Sequence, residues 1–165
     1  MIVFDSSTLI LLTKTELLDL FLNSFKGRVL ISKKVEEECC KKKSFDALLI
    51  KKRIEEKRII VKKIKNHKLC IRIASDFNLC DGESEAIALA LQENAEILGT
   101  DDKNAINACR LLKIPFTSAI DILVRAKEKK LIGHEESLLK LNELKVYGRY
   151  SKQIIDDAKK KLEVD

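Results

Sequence analysis

Acidic side chains are the groups in this sequence whose placement could do chemistry. Asp5 closes the apolar run Ile2–Phe4, and Asp101 and Asp102 close the run Ile97–Thr100. In a parallel α/β sheet, ligands bind beyond the carboxyl ends of the strands, so these acids fall where a site forms. A lone Asp there also serves as a helix cap, and Asp102 is placed to cap the helix after it. Carboxylates delivered by two separate strand ends are less ordinary. The segment DGESEAIALA adds Asp81, Glu83 and Glu85 at a helix start, where the helix dipole favours acids without any chemistry.

Glu36, Glu37 and Glu38 open a further helix after Ser32. Successive helical residues turn by about 100°, so the three cannot share a face. Val35 is apolar and expected to face the core. Glu38, three residues on, shares its side, while Glu36 and Glu37 rotate toward solvent. An acid on the inward side is costly to bury unless it is paired or bound to a metal, which singles out Glu38.

Short strands alternating with helices must position these groups. Strand-like runs fall at Ile2–Phe4, Arg28–Ser32, Ile59–Ile64 and Ile97–Thr100, with Pro115–Thr117 a brief edge strand. Ser6, Ser7 and Thr8 are good caps for a first helix, and helical spacing continues over about Glu16–Phe25, from Lys33, and over Phe45–Arg58. It recurs at Lys68–Asp76, Asp81–Asn94, Asp102–Leu112, Ser118–Lys130, Glu135–Leu144 and Ser151–Leu162. This alternation predicts βαβ units and a parallel sheet covered on both faces. The fold class expected is α/β, a three-layer α/β/α sandwich around a central parallel sheet of four to five strands. No Gly/Ser linker or repeat divides residues 1–165, so one domain is expected, with 145–165 a helical C-terminal extension.

In order and spacing, these segments resemble the PIN-domain ribonucleases, among them the VapC-type toxins of prokaryotic toxin–antitoxin pairs. IVFDSSTLI is similar to that family's first strand ending in Asp-x-Ser, and LISKKVEEE to its second strand and helix, with Glu three residues after Val. DGESEAIALA is similar to its acidic helix start, in the Gly-Glu form of one prokaryotic branch, and LGTDDKNA to the strand ending in Thr before a further acid. SAIDILVRAKEKKLI fits the same branch, so the resemblance runs from residue 2 to about 130. It implies that Asp5, Glu38, Glu83 and Asp101 are catalytic and metal-binding, with Asp102 a second candidate for the last position and Glu85 for the third. Ser7, which would orient Asp5 or a bound water, and Thr100 support them. Oxygen-only ligands suit Mg²⁺ or Mn²⁺, one ion or two, and do not suit zinc. Such ions activate a water and counter the charge on a phosphate, so no side-chain nucleophile is needed. The activity implied is divalent-metal-dependent endoribonuclease, on single-stranded or structured RNA, with a small antitoxin as a possible protein partner.

Charge and composition bear on this expectation. The net charge is +6, yet residues 33–70 carry fourteen Lys or Arg against six Asp or Glu. That stretch reads either as solvated helix faces or as a track for a polyanion, with Lys33, Lys34, Lys41 and Lys42 as candidate nucleic-acid contacts. Five cysteines without a CxxC pair, and two isolated histidines, His67 and His134, argue against a zinc site. The absence of any long apolar run or leader predicts a protein that is cytoplasmic and makes no membrane contact. Leu9, Leu11, Leu12, Leu17, Leu18 and Phe21 exceed what one core needs, which predicts a homodimer. Two rivals share the fold class: a catalytically inactive RNA- or protein-binding module whose acids merely cap helices, and a phosphatase. The phosphatase would need Asp-x-Asp after the first strand, where this chain has Ser7.

Overall fold

Ile2, Val3 and Phe4 are all buried, and an apolar run with no polar side is what a strand covered on both faces requires. They form β1 (Ile2–Phe4), the centre of a sheet whose other members are β2 (Val29–Ser32), β3 (Ile60–Lys62), β4 (Ile97–Gly99) and β5 (Phe116–Thr117). In the computed structural model, which describes residues 1–164, the five strands lie in the order β3-β2-β1-β4-β5 and every pairing is parallel. The register sets Phe4 opposite Gly99, and Ser32 opposite Lys62, so β1, β2 and β4 end along one edge.

The helices are α1 (Ser6–Lys14), α2 (Leu17–Ser24), α3 (Lys33–Cys40), α4 (Phe45–Glu55), α5 (His67–Phe77), α6 (Asp81–Gln92), α7 (Lys103–Leu112), α8 (Ala119–Glu128), α9 (His134–Tyr147) and α10 (Lys152–Glu163). One layer is built on α6, whose Ala86, Ile87, Ala88, Leu89 and Ala90 are buried against β1, β2 and β4 and against α5 and α7. The opposite layer holds α1, α2 and α8, with α9 and α10 stacked outside α8. Helix α3 bridges the two layers, touching α1, α4 and α6. The α/β/α sandwich expected from the sequence is the one found. Pro115 donates no hydrogen bond, and the strand after it lies at the sheet edge, as a proline-led strand must.

Gly99 has a packing reason. A Cβ there would drive into the Phe4 ring, which lies edge-on to Phe21 with centroids 5.4 Å apart. Leu9, Leu12, Leu17 and Leu18 are 0% exposed and Leu11 8%, so these leucines of α1 and α2 belong to the chain's own core. Phe21 is half-buried and, with Leu17, Leu20, Phe25 and Ile122, lines a cavity of about 430 Å³ between α2 and α8.

Candidate acidic site at the strand ends

Asp5 leaves β1 and becomes the N-cap of α1. Its Oδ1 accepts from the Thr8 amide at 2.8 Å and from Ser7 Oγ at 3.1 Å, and its Oδ2 from Thr100 Oγ1 at 2.6 Å. The side chain is 1% exposed. Burial pushes its carboxyl up from 3.8 to about 6, against the hydrogen bonds from Thr100 and Thr8 that favour the charged form. No Lys or Arg among the described residues forms an ion pair with Asp5.

Thr8 joins Asp5 to the next strand end. Its amide serves Asp5 while its hydroxyl donates to Asp101 Oδ2 at 2.8 Å. Asp101 follows β4 and also accepts from the Ala119 amide, at 3.0 Å to Oδ2 and 3.3 Å to Oδ1, and from Tyr150 Oη at 2.6 Å. Burial raises its carboxyl above the usual range as well. Asp102 faces elsewhere, capping α7 through the Ala105 amide at 2.8 Å.

Glu38 arrives from α3. Val35 is fully buried, and one helical turn later the Glu38 carboxylate lies inward, accepting from Ser6 Oγ at 2.5 Å. Glu36 pairs with Lys33 outside, and Glu37 is exposed, as helical rotation requires. The Glu38 carboxylate rests on Gly82 in the first turn of α6. A Cβ on Gly82 would come within 2.7 Å of Glu38 Cδ and closer still to one oxygen. Only glycine leaves that space, and the helix N-terminus beneath it favours a negative group.

The two remaining acids of α6 do not join this group. Glu83 bends back in a capping box onto the Cys80 amide at 3.0 Å, and Glu85 accepts from the Lys34 amide at 3.1 Å, tying α6 to α3. Asp81 pairs with Lys34 at the surface. Among the described residues, no three acids, cysteines or histidines are drawn together closely enough to hold an ion in the arrangement seen. The donor types nonetheless suit one: Asp5, Glu38 and Asp101 offer oxygen alone, Asp5 and Asp101 are joined through Thr8, and Glu38 is held by Ser6, the residue after Asp5. Cys39, next to Glu38, is driven well above neutrality by burial, so its thiol keeps its proton and adds no soft ligand.

Ser6, Thr8, Gly82 and Tyr150 escape a sequence reading of the site. Ser6 and Thr8 stand out there only as helix-cap types, and Gly82 only as part of a motif. Tyr150 lies 49 residues from its partner and leaves no local signal.

The fold is a three-layer parallel α/β sandwich in which Asp5 after β1 and Asp101 after β4 are joined through Thr8, while Glu38 of α3 is held by Ser6. A family model described as a PIN domain matches residues 1–163, and the chain belongs to the PIN-domain family. PIN domains are as a class nucleases, which places the chain at a coarse level among the hydrolases. The match continues through α9 and α10, beyond the stretch of about 130 residues over which motifs are visible by eye. No curated protein and no solved structure matches the chain. No helix among the described residues is long and apolar enough to cross a membrane.

Proposed function

We propose that the chain is a divalent-metal-dependent endoribonuclease whose ion is held by Asp5, Glu38 and Asp101, with Glu83 or Asp102 completing the set. The observation that carries this is Asp5, fully buried and joined through Thr8 to the half-buried carboxylate of Asp101, with no basic partner for either among the described residues. A helix cap needs neither the burial nor the neighbour, whereas a bound cation offsets the cost that both impose on a charged carboxylate. The inactive-module reading also has an observation in its favour, because Asp5, Glu83 and Asp102 each cap a helix. It leaves the inward Glu38 carboxylate and the glycine beneath it unexplained.

Bound Mg²⁺ or Mn²⁺ would supply an activated water and a counter-charge for the phosphate. The chain's own part is positional. Thr100, Ser7 and the Thr8 amide fix the Asp5 carboxylate, Ser6 fixes Glu38, and Gly82 leaves room for it. Lys41 and Lys42, exposed just past α3, offset the repulsion that an acidic site exerts on RNA. Lys33 and Lys34 are already engaged by Glu36 and Asp81 and contribute less. Pairing with a small inhibitor protein, as in toxin–antitoxin systems, belongs to the same proposal and rests on the resemblance alone. A co-expressed neighbour that blocks cutting would support it.

The test is cleavage of end-labelled single-stranded RNA with Mg²⁺ or Mn²⁺. Cutting is expected to stop on chelation and in a Glu38→Gln variant. Undiminished cutting by Glu38→Gln would remove the proposed site.

A further inference from the structure

Tyr150 lies between α9 and α10, and its phenol reaches the acid group at Asp101 Oδ1, 2.6 Å away. With it, both oxygens of Asp101 are full. Oδ1 holds the phenol and the Ala119 amide; Oδ2 holds the Thr8 hydroxyl and the same amide. A carboxylate offers roughly four acceptor positions, so none remains for an ion. Asp5 Oδ2 carries Thr100 alone, and Glu38 accepts on one oxygen only, from Ser6, among the described residues.

The three donors on Asp101 differ in how firmly they are held. Thr8 is fully buried in α1 with its amide fixed on Asp5, and Ala119 N is the first amide of the buried start of α8. The Ala119 amide cannot withdraw without moving a core helix, and the fully buried Thr8 hydroxyl has no solvent to turn into. Tyr150 is half-buried in a turn whose neighbours Arg149 and Ser151 are exposed. Its ring lies over Gly148, where a Cβ would collide with it. The turn is anchored on its far side by α10, whose Ile155, Ala158 and Leu162 pack inward, and by His134 Nδ1 at 3.1 Å from the Leu162 carbonyl. The phenol can therefore leave while the helices stay.

We propose that Tyr150 is a latch on the acidic site: its phenol and a divalent cation compete for Asp101 Oδ1, so that cation entry and release of the C-terminal turn are one event. This rests on the metal-centre reading and adds a control element to it. Competition is reciprocal, so removing the phenol tightens cation binding, and adding cation frees the phenol. A hydrogen bond to a charged group governs an equilibrium by roughly tenfold or more, which sets the expected size.

The chain has two tyrosines and no tryptophan, so a Tyr147→Phe background leaves Tyr150 as the sole strong emitter. A phenol donating to a carboxylate emits weakly. Emission is expected to rise on Mg²⁺ addition, saturating together with the binding isotherm from calorimetry. A Tyr150→Phe variant, which keeps the ring, is expected to bind Mn²⁺ roughly tenfold tighter. Asp5→Asn serves as the separate arm for the metal-centre reading and is expected to lose binding. If Asp5-dependent binding appears with flat emission, or with Tyr150→Phe no tighter than wild type, the latch is wrong and the metal centre stands. If wild type binds no Mg²⁺ or Mn²⁺ at millimolar concentration, both fall.

Discussion

At Asp5 the cost of the site can be read directly. In the unfolded chain this carboxyl ionises near 3.8, and in the fold near 6. Below the lower value both states hold the proton. As pH rises through the interval the unfolded chain loses its proton first, so the fold loses stability, up to about 3 kcal/mol by neutrality. Asn is as good a helix cap as Asp and carries no charge to bury. Without divalent ions, Asp5→Asn is therefore expected to stabilise the protein at pH 7 by about 1–2 kcal/mol, with no gain below pH 4, in thermal melts across that range. Equal destabilisation at both pH values would show that Asp5 is an ordinary structural acid. Asp101 is raised in the same sense by burial, so the two acids reinforce one another.

At the scale of elements, α3 and α6 are set so close that one glycine separates a helix from a carboxylate. Gly82→Ala places a methyl group where Glu38 now rests, and Glu38, the flexible partner, must move. Ala favours the helix by up to about 1 kcal/mol, so the melting temperature is expected to hold or rise. Cleavage is expected to fall by on the order of 10²-fold, the penalty typical of a ligand displaced by about an ångström. A parallel loss of fold and activity would deny Gly82 this specific role. Asp5 and Glu38 are legible in the sequence because each obeys a local rule: a short apolar strand ends at one, and a buried Val lies one turn before the other. Glu83 is legible as an acid near a helix start but not in its direction, since capping and ligation demand the same residue type at that place. Tyr150 is not legible, because its contact is made by the packing of α9 and α10 on α8. Helix α8 is legible from its own spacing, but its packing on α1 and α2, which sets how much core their leucines fill, is not.

For the molecule as a whole, charge is divided between an acidic strand edge and the basic stretch of residues 33–70. Lys41 and Lys42 are exposed and form no ion pair among the described residues. Reversing both, Lys41→Glu with Lys42→Glu, is expected to weaken RNA binding and to flatten the slope of log Kd against log salt by about one to two. An unchanged slope would mean that RNA approaches over another face. The fold, the family and the inward acids together support one central statement, that Asp5 works with a bound divalent ion on a phosphodiester. The most direct measurement is the rate of RNA cleavage by wild type and Asp5→Asn, prepared side by side, as Mn²⁺ is raised from zero. Wild type is expected to show a saturable, ion-dependent rate, and the variant a rate indistinguishable from buffer although its fold is at least as stable. Cleavage by Asp5→Asn that matches wild type at every Mn²⁺ concentration would contradict the account.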